Sequence, residues 1–200
     1  MRARCLVVSF ASPFRRLPSF TCAMLGLALW AAQGSHALAQ GTFSLASANF
    51  HANGAVGSAQ VFNQDDCKGD NRSPQLTWHD APAGTRSFAV TIFDQDAPGR
   101  GWWHWAVAGI PASVDSLPEN ASSSGFLRKI GAFEARNDFE LDGYGGPCPP
   151  AGKPHHYVIT VYALNTADLR LAQGRPALMF DHEIGTATLG SARLVVTYGR

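Results

Sequence analysis

The sequence lacks the features that mark several large classes of protein. Residues 40–200 contain no internal repeat, heptad pattern or low-complexity tract, which excludes a repeat array and a coiled coil. They also contain no Gly-x-Ser-x-Gly elbow of a serine hydrolase and no Gly-x-x-x-x-Gly-Lys phosphate loop. With 200 residues, 46% of them hydrophobic, the chain has the length and composition of one globular domain.

An excess of positive charge is also absent. The whole chain carries 16 Lys and Arg side chains against 15 Asp and Glu side chains. Four arginines and no acidic residue lie before residue 40, so residues 40–200 hold 12 basic and 15 acidic side chains, a net charge of −3. Nucleic-acid binding usually needs a basic face that neutralises several phosphates. We therefore expect no nucleic-acid partner.

The sequence also lacks an apolar run long enough to cross a bilayer easily. An apolar run from about Phe20 to Ala32 follows the four arginines and is too short to cross a bilayer easily. Residues 37–39, Ala-Leu-Ala, match a signal-peptidase site, and cleavage there would leave Gln40 as the new N-terminus. The alternative is a permanent N-terminal membrane anchor, which the short run disfavours. The sequence thus predicts a signal peptide over 1–39, a domain over 40–200, and a periplasmic or secreted protein without stable membrane insertion after cleavage.

Cysteine is scarce, and its distribution agrees with export. Cys5 and Cys22 would leave with the signal peptide, and the two that remain, Cys67 and Cys148, can form one disulfide in an oxidising compartment. If the geometry permits it, closing so long a loop stabilises a fold by about 4 kcal/mol.

The clearest periodic segments are strand-like, and helix is a minority. The six predicted strands are Thr42–Ser47, Gln75–Trp78, Ser87–Phe93, Trp103–Ile110, Tyr157–Leu164 and Arg193–Tyr198. The third of these is almost wholly apolar, which predicts a central strand covered on both faces. A short helix is expected to open at Pro176 and to end at Gly185. These patterns favour an all-β sandwich or a β-rich α+β domain.

Two clusters of polar residues follow or begin predicted strands. Asp94 and Asp96 come at the end of the central strand and would point to one side if the extended geometry persists. In the next strand, alternation predicts His104 and Trp102 on one face, and Trp103 with its second neighbour Trp105 on the other. Each residue also has an ordinary interpretation, since aspartates cap turns and tryptophans fill cores.

A third cluster is a loop rich in glycine and proline over 143–150, followed by His155 and Tyr157 at the start of another strand. Glycines can expose backbone N–H groups to an anion, and prolines stiffen the loop that presents them. The loop and the histidine together are the components of an oxyanion or phosphate pocket, although His155 could also be an ordinary polar residue at a strand end.

The chain resembles the phosphatidylethanolamine-binding family, in particular its bacterial Raf-kinase-inhibitor-like branch. The resemblance covers nearly all of residues 40–200 and rests on three motifs in register. These are Asp-x-Asp-Ala-Pro at 94–98, Gly-Trp-Trp-His-Trp at 101–105, and Gly-Pro-Cys-Pro-Pro followed by His-x-Tyr between 146 and 157. The segments 71–78 and 82–88 support it.

The resemblance implies a β-sandwich with short C-terminal helices and a pocket for phosphate, a phospholipid headgroup or a similar small anion. Matched residue by residue, the implied pocket consists of Asp94, Asp96, Pro98, His104, Gly146, Pro150, His155 and Tyr157, with Pro149 as the alternative to Pro150. The chain departs from the family pattern at Gln95, where a proline is usual, and at His156, where an arginine is expected. The segment 180–184 is more charged than expected, which leaves the form of the C-terminal helix open.

The chemistry of such a pocket must reconcile two carboxylates with an anion. One aspartate can accept a hydrogen bond from an imidazole and favour its charged form, while the other is protonated or faces away. Two histidines and glycine N–H groups would then donate to the anion, and binding is expected to weaken as the pH rises through the histidine pKa values.

These residues leave three functions open. We favour a non-enzymatic binding protein without cofactor or metal. The first alternative is a modulator of another protein, similar to a protease or kinase inhibitor, with the pocket rim as its interface. The second is an enzyme in which Asp94, Asp96, His104 and His155 hold a metal or act as an acid–base pair.

Overall fold

The computed structural model describes residues 41–169 and 174–200. The predicted signal peptide and the cleavage position before Gln40 lie outside these ranges. Within them, no helix is long and apolar enough to cross a membrane.

The described residues form eight β-strands and two α-helices. The strands are β1 (Ser44–Ala46), β2 (Leu76–His79), β3 (Ser87–Asp94), β4 (Trp102–Pro111), β5 (Ser116–Leu117), β6 (Phe133–Glu134), β7 (His155–Leu164) and β8 (Thr188–Tyr198). The helices are α1 (Phe126–Lys129) and α2 (Ala177–Ala187), with a short 3-10 helix at Ser58–Gln60. The protein therefore has the mainly β fold that the sequence predicts.

Two antiparallel sheets enclose the main core. The larger sheet has the strand order β6-β4-β3-β7-β8 and the smaller one the order β1-β2-β5. Trp78 of β2, Phe88 of β3 and Ile159 of β7 belong to one buried cluster between the sheets. The rings of Trp78 and Phe88 lie 5.2 Å apart, so the two sheets are joined by direct aromatic packing.

Strand β3 is the central strand of the larger sheet, as its apolar sequence predicts. Val90 and Ile92 face the core between the sheets, whereas Ala89 belongs to a second cluster on the opposite face, with Phe180 of α2. The first six residues of β3 are all buried. A strand covered on both faces cannot alternate polar and apolar residues, which explains the continuous apolar run.

Helix α2 extends further than the sequence suggests. It continues through Gly185 to Ala187, because Phe180, Ile184 and Ala187 form a buried stripe at helical spacing. Burial of an isoleucine stabilises a fold by about 1.5–3 kcal/mol, whereas glycine in a helix costs about 1 kcal/mol relative to alanine. The prediction that the helix ends at Gly185 was therefore wrong. Asp181 carries part of the charge of segment 180–184 on the exposed face.

Candidate functional site

The antiparallel register of the larger sheet brings the three sequence motifs to one edge. Strand β3 ends at Asp94, whose partners are Trp102 at the start of β4 and Tyr157 near the start of β7. Since antiparallel neighbours run in opposite directions, the end of a strand lies beside the beginnings of both neighbours. Motifs separated by more than 60 residues therefore meet at the same place.

A cavity of about 470 Å³ opens at this edge. Six of the eight predicted pocket residues line it, namely Asp94, Pro98, His104, Pro150, His155 and Tyr157. The other lining residues are Asp65, Ala97, Trp102, Asp138, Phe139, Glu140, Cys148 and Pro149. Both prolines of the loop thus contribute to the wall, whereas Asp96 and Gly146 lie outside the lining.

Asp94 fixes the orientation of His155. Its Oδ2 accepts a hydrogen bond from His155 Nδ1 at 2.6 Å. Its Oδ1 accepts the backbone N–H groups of Asp96 and Ala97, at 2.9 and 3.2 Å. Asp94 is only 3% exposed, and both of its carboxylate oxygens accept hydrogen bonds from the protein. Because His155 Nδ1 is bound to Asp94, His155 Nε2 is the nitrogen that remains for a ligand.

A β-bulge places His104 in the cavity wall. Ile92 pairs with Trp105 but the next residue, Phe93, pairs with Trp103, so His104 is the extra residue of β4. The bulge breaks the alternation that the sequence predicts: Trp103 packs in the cluster beneath α2, and Trp105 packs between the sheets. The prediction that these two tryptophans share a face was wrong.

His104 is held by the loop that precedes the disulfide cysteine Cys148. Its Nδ1 lies 2.6 Å from Gly145 O, and its ring packs edge-on against Tyr157 and Phe139, with centroids 5.1 and 5.4 Å away. Burial lowers the pKa of His104, although the carbonyl of Gly145 and the charge of Asp94 act in the opposite direction. Burial thus favours the neutral ring, which differs from the expectation that both histidines supply cationic donors.

Two hydrogen-bond donors in the cavity wall have no partner among the described residues. Trp102 Nε1 and Tyr157 OH are buried and unpaired, and both side chains line the cavity. Burial raises the pKa of Tyr157, so its hydroxyl keeps the proton and can donate it. Two further buried donors, Gln60 Nε2 and Trp78 Nε1, are also unpaired among the described residues but lie outside the lining. Trp102 Nε1 and Tyr157 OH are distinguished by their side chains' position in the cavity wall, where a ligand could supply acceptor atoms. The resemblance had singled out Tyr157 but not Trp102.

Asp96 has a structural role outside the cavity. Its Oδ2 accepts hydrogen bonds from His156 Nδ1 at 2.6 Å and His156 N at 2.7 Å. The hydrogen bonds from His156 lower the pKa of Asp96. The sequence left two possibilities for the second aspartate, protonation or an orientation away from the ligand. In the structure, Asp96 lies outside the cavity lining and its carboxylate is bound to His156. His156, found where an arginine was expected, is the partner that holds it there.

Gly146 also has a different role from the one expected. Its N–H donates to Asn71 Oδ1 at 2.7 Å, and the N–H of Gly145 donates to His104 O at 2.9 Å. A Cβ at Gly146 would lie 2.1 Å from Gln60 O. Glycine is therefore required here by the close approach of two backbone segments. Both N–H groups are used within the protein, which corrects the expectation that they face an anion.

The predicted disulfide between Cys67 and Cys148 is present. It connects Cys148 in the wall of the cavity to Cys67 in the segment after the 3-10 helix. The two cysteines are separated by 81 positions in the sequence. The cysteine pattern was thus sufficient to predict the pair.

The cavity is rich in carboxylates that sequence reasoning missed. Asp65 and Glu140 are exposed at its rim, and Asp138 accepts hydrogen bonds from Arg100 at 3.0 Å and Trp103 N at 2.9 Å. The lining contains no lysine or arginine. Asp65 lies in a loop far from the three motifs in sequence, and Asp138 and Glu140 lie in the loop shortly before Gly146 but outside the motif itself, so no motif points to them. Among the described residues, no group of three or more His, Cys, Asp or Glu side chains is placed to hold a metal.

Comparison with known proteins adds an independent line of evidence. Residues 46–199 match the family described as "Phosphatidylethanolamine-binding protein". The UPF0098 protein YbcL of Escherichia coli K12 is 42% identical over 144 residues, 70% of this chain and 79% of the relative. The UPF0098 protein YbhB of the same organism is 40% identical over 139 residues, 69% of this chain and 88% of the relative.

Solved structures agree with the sequence comparison. The crystal structure of Escherichia coli YbcL, described as a new member of the mammalian PEBP family, superposes with a TM-score of 0.77. That alignment is 38% identical and covers 80% of this chain and 99% of YbcL. On the sequence motifs, the sheet topology and these matches, the chain belongs to the phosphatidylethanolamine-binding protein family.

Proposed function

We propose that the protein is an exported, non-enzymatic binding protein for a small ligand that bears a phosphate or a similar oxyanion, of the kind carried by phospholipid headgroups. The observation that carries the proposal is the pair of buried, unpartnered donors, Trp102 Nε1 and Tyr157 OH, in the cavity wall. An oxyanion supplies the acceptors that these donors lack. The family description, which names a phospholipid, supports the same ligand class.

The geometry of the histidines supports binding by preformed groups. His155 and His104 are each held through Nδ1 by a protein acceptor, Asp94 and Gly145 respectively. Each ring therefore has a fixed orientation and one nitrogen left for a ligand. A site whose polar groups are fixed before binding loses less conformational entropy when the ligand enters.

Two features support export. The disulfide between Cys67 and Cys148 is of the kind that persists in oxidising compartments. The candidate lipoprotein LppC of Mycobacterium tuberculosis H37Rv is 39% identical over 136 residues, 68% of this chain and 64% of that relative. Together with the predicted signal peptide, these features support our proposal that the protein functions outside the cytoplasm.

Calorimetric titration with inorganic phosphate and with phosphorylethanolamine tests the proposal. We expect saturable binding by the native protein. Loss of a hydrogen bond to a charged ligand corresponds to about a tenfold to hundredfold weaker binding in Tyr157→Phe. The matched control is Tyr144→Phe, because the hydroxyl of Tyr144 donates to Gln60 O at 2.7 Å and Tyr144 does not line the cavity. This control should bind like the native protein.

Two results would contradict the proposal. If neither ligand binds the native protein saturably, the cavity is not an oxyanion site. If phosphorus NMR shows that phosphorylethanolamine is converted to free phosphate at a rate proportional to protein concentration, and Tyr157→Phe slows it, the protein is an enzyme.

A further inference from the structure

The disulfide meets the cavity at one of its two ends. Cys148 is partly buried and lines the cavity beside Pro149 and Pro150. Cys67 is only 5% exposed and lies outside the lining, although Asp65 of the same segment belongs to it. Thiol–disulfide exchange requires access of the attacking thiolate to a sulfur. Access from the cavity is therefore to Cys148.

The segment around Cys67 is fixed by contacts other than the disulfide. Cys67 N donates to Gln64 O at 3.1 Å, and Gly69 N donates to Phe62 O at 2.8 Å. The chain approaches itself so closely that a Cβ at Gly69 would collide with Val61 O. These contacts remain when the disulfide is reduced, so this segment is expected to keep its place.

The segment in the cavity wall has few backbone donors. Three of the four residues at 147–150 are prolines, which have no N–H and can be held by hydrogen bonds only through their carbonyls. Pro147 O accepts from Phe62 N at 3.2 Å, and Pro149 O accepts from Arg200 Nε at 2.7 Å. Of the two segments that the disulfide joins, the one in the cavity wall therefore depends more on it.

We propose, building on the function proposed above, that the Cys67–Cys148 disulfide is a redox switch for the cavity. A dithiol reductant attacks Cys148 Sγ from the cavity, and cleavage of the disulfide loosens the wall and weakens ligand binding. A ligand in the cavity in turn slows the attack, because it occupies the space through which the reductant reaches Cys148.

The reaction is a thiol–disulfide exchange in two steps. The first thiolate of the reductant forms a bond to Cys148 Sγ while the bond between the two cysteines breaks, and Cys67 leaves as a thiolate and takes up a proton. The second thiolate of the reductant then attacks its own sulfur in this mixed disulfide and releases Cys148. Two electrons pass to the protein, and the dithiol becomes a disulfide.

The expected coupling is about tenfold. Fixing one backbone residue that reduction has freed costs a ligand about a factor of ten in Kd. Because coupling between two equilibria is reciprocal, a ligand that binds the oxidised protein about tenfold more tightly makes the disulfide about tenfold harder to reduce.

The first experiment needs no ligand. The oxidised native protein is mixed briefly with glutathione and quenched with N-ethylmaleimide under denaturing conditions, and its peptides are analysed by mass spectrometry. We expect glutathione on Cys148 and the maleimide on Cys67. Glutathione mainly on Cys67, or equally on both cysteines, would overturn the inference.

The second experiment measures the rate at which dithiothreitol reduces the native protein, with and without saturating phosphorylethanolamine. We expect the ligand to slow the reaction by about tenfold or more, and ethanolamine alone to leave it unchanged. A ligand would also slow a reduction that requires unfolding, so the rate is repeated in dilute urea and in Gly185→Ala, a stabilised variant outside the lining. Acceleration by dilute urea, or a slower rate in Gly185→Ala, would overturn attack from the cavity.

The third experiment compares the Kd of phosphorylethanolamine for the oxidised native protein and for the double variant Cys67→Ser, Cys148→Ser. We expect binding to the variant to be about tenfold weaker. Equal Kd values would overturn the switch while the proposed function stands, whereas absence of binding by the oxidised native protein would overturn both. If circular dichroism shows that the double variant does not fold, the two experiments on the native protein still decide the question.

Discussion

Removal of a single hydroxyl should make the protein more stable and its binding weaker. Tyr157 is 1% exposed and its OH has no partner among the described residues. A buried polar group without a partner destabilises a fold, because folding removes its hydrogen bonds to water and provides none within the protein. The substitution Tyr157→Phe deletes this group and leaves the packing of the ring in place. Tyr144→Phe is the matched control, since Tyr144 is 6% exposed and its OH donates to Gln60 O.

The magnitudes follow from the two environments. An unsatisfied buried polar group costs about 1–3 kcal/mol, and a satisfied hydrogen bond contributes about 1 kcal/mol. We expect Tyr157→Phe to raise the free energy of unfolding by about 1 kcal/mol, and Tyr144→Phe to lower it by about 1–2 kcal/mol because Gln60 O loses its donor. For a protein of this size, 1 kcal/mol corresponds to about 2–4 °C in Tm, so the two variants, which differ by about 2–3 kcal/mol, should differ by about 4–12 °C.

Urea denaturation followed by tryptophan fluorescence, with thermal unfolding as a second assay, measures these changes. The ligand should be omitted, because binding stabilises the native protein more than the variant. If Tyr157→Phe destabilises the protein as much as Tyr144→Phe does, the Tyr157 hydroxyl is satisfied in the unliganded protein, and the argument that it awaits a ligand fails.

Four further predictions concern the disulfide, two glycines and one buried carboxylate. Reduction of the Cys67–Cys148 disulfide, which spans 81 residues, should lower the free energy of unfolding by about 4 kcal/mol. Urea titrations with and without dithiothreitol measure this loss, and equal midpoints would contradict it. Gly146→Ala should destabilise by about 3 kcal/mol or more, since its Cβ would meet Gln60 O. By contrast, Gly185→Ala, in open space on α2, should stabilise by about 0.5–1 kcal/mol in the same assay. Burial raises the pKa of Glu134 above 4.5, so folding opposes its ionisation and its contribution to stability is lost as the pH rises above that value. The variant Glu134→Gln, which keeps an acceptor for Trp105 Nε1 and Ser122 Oγ, should therefore gain stability relative to the native protein between pH 4 and pH 7. Thermal unfolding across this range checks the sign, and a constant difference would refute it.

Local sequence patterns were informative where one kind of contact dominates. The apolar run of β3 predicted a central strand, because a strand covered on both faces needs apolar side chains at every position. The scarcity of cysteine predicted the disulfide. The shortest elements, β5, β6 and α1, escaped prediction, since two to four residues are too few to show a period.

The candidate site was predictable in its members more than in their roles. Six of the eight residues that the resemblance implied line one cavity, whereas Asp96 and Gly146 hold the surrounding chain. Both roles depend on partners distant in sequence, His156 and Asn71. The rim carboxylates lie in loops whose sequence carries no signal of what they face.

The sequence by itself determined the mainly β fold, the central strand, the disulfide pair and six of the fourteen residues that line the cavity, because repeating local patterns and motifs in fixed order record them. Only the tertiary structure decided the bulge that turns His104 into the cavity, the carbonyl that fixes its tautomer and the isolation of the Tyr157 hydroxyl. Each of these depends on contacts between strands and loops that are distant in sequence, and a local sequence pattern does not specify such contacts.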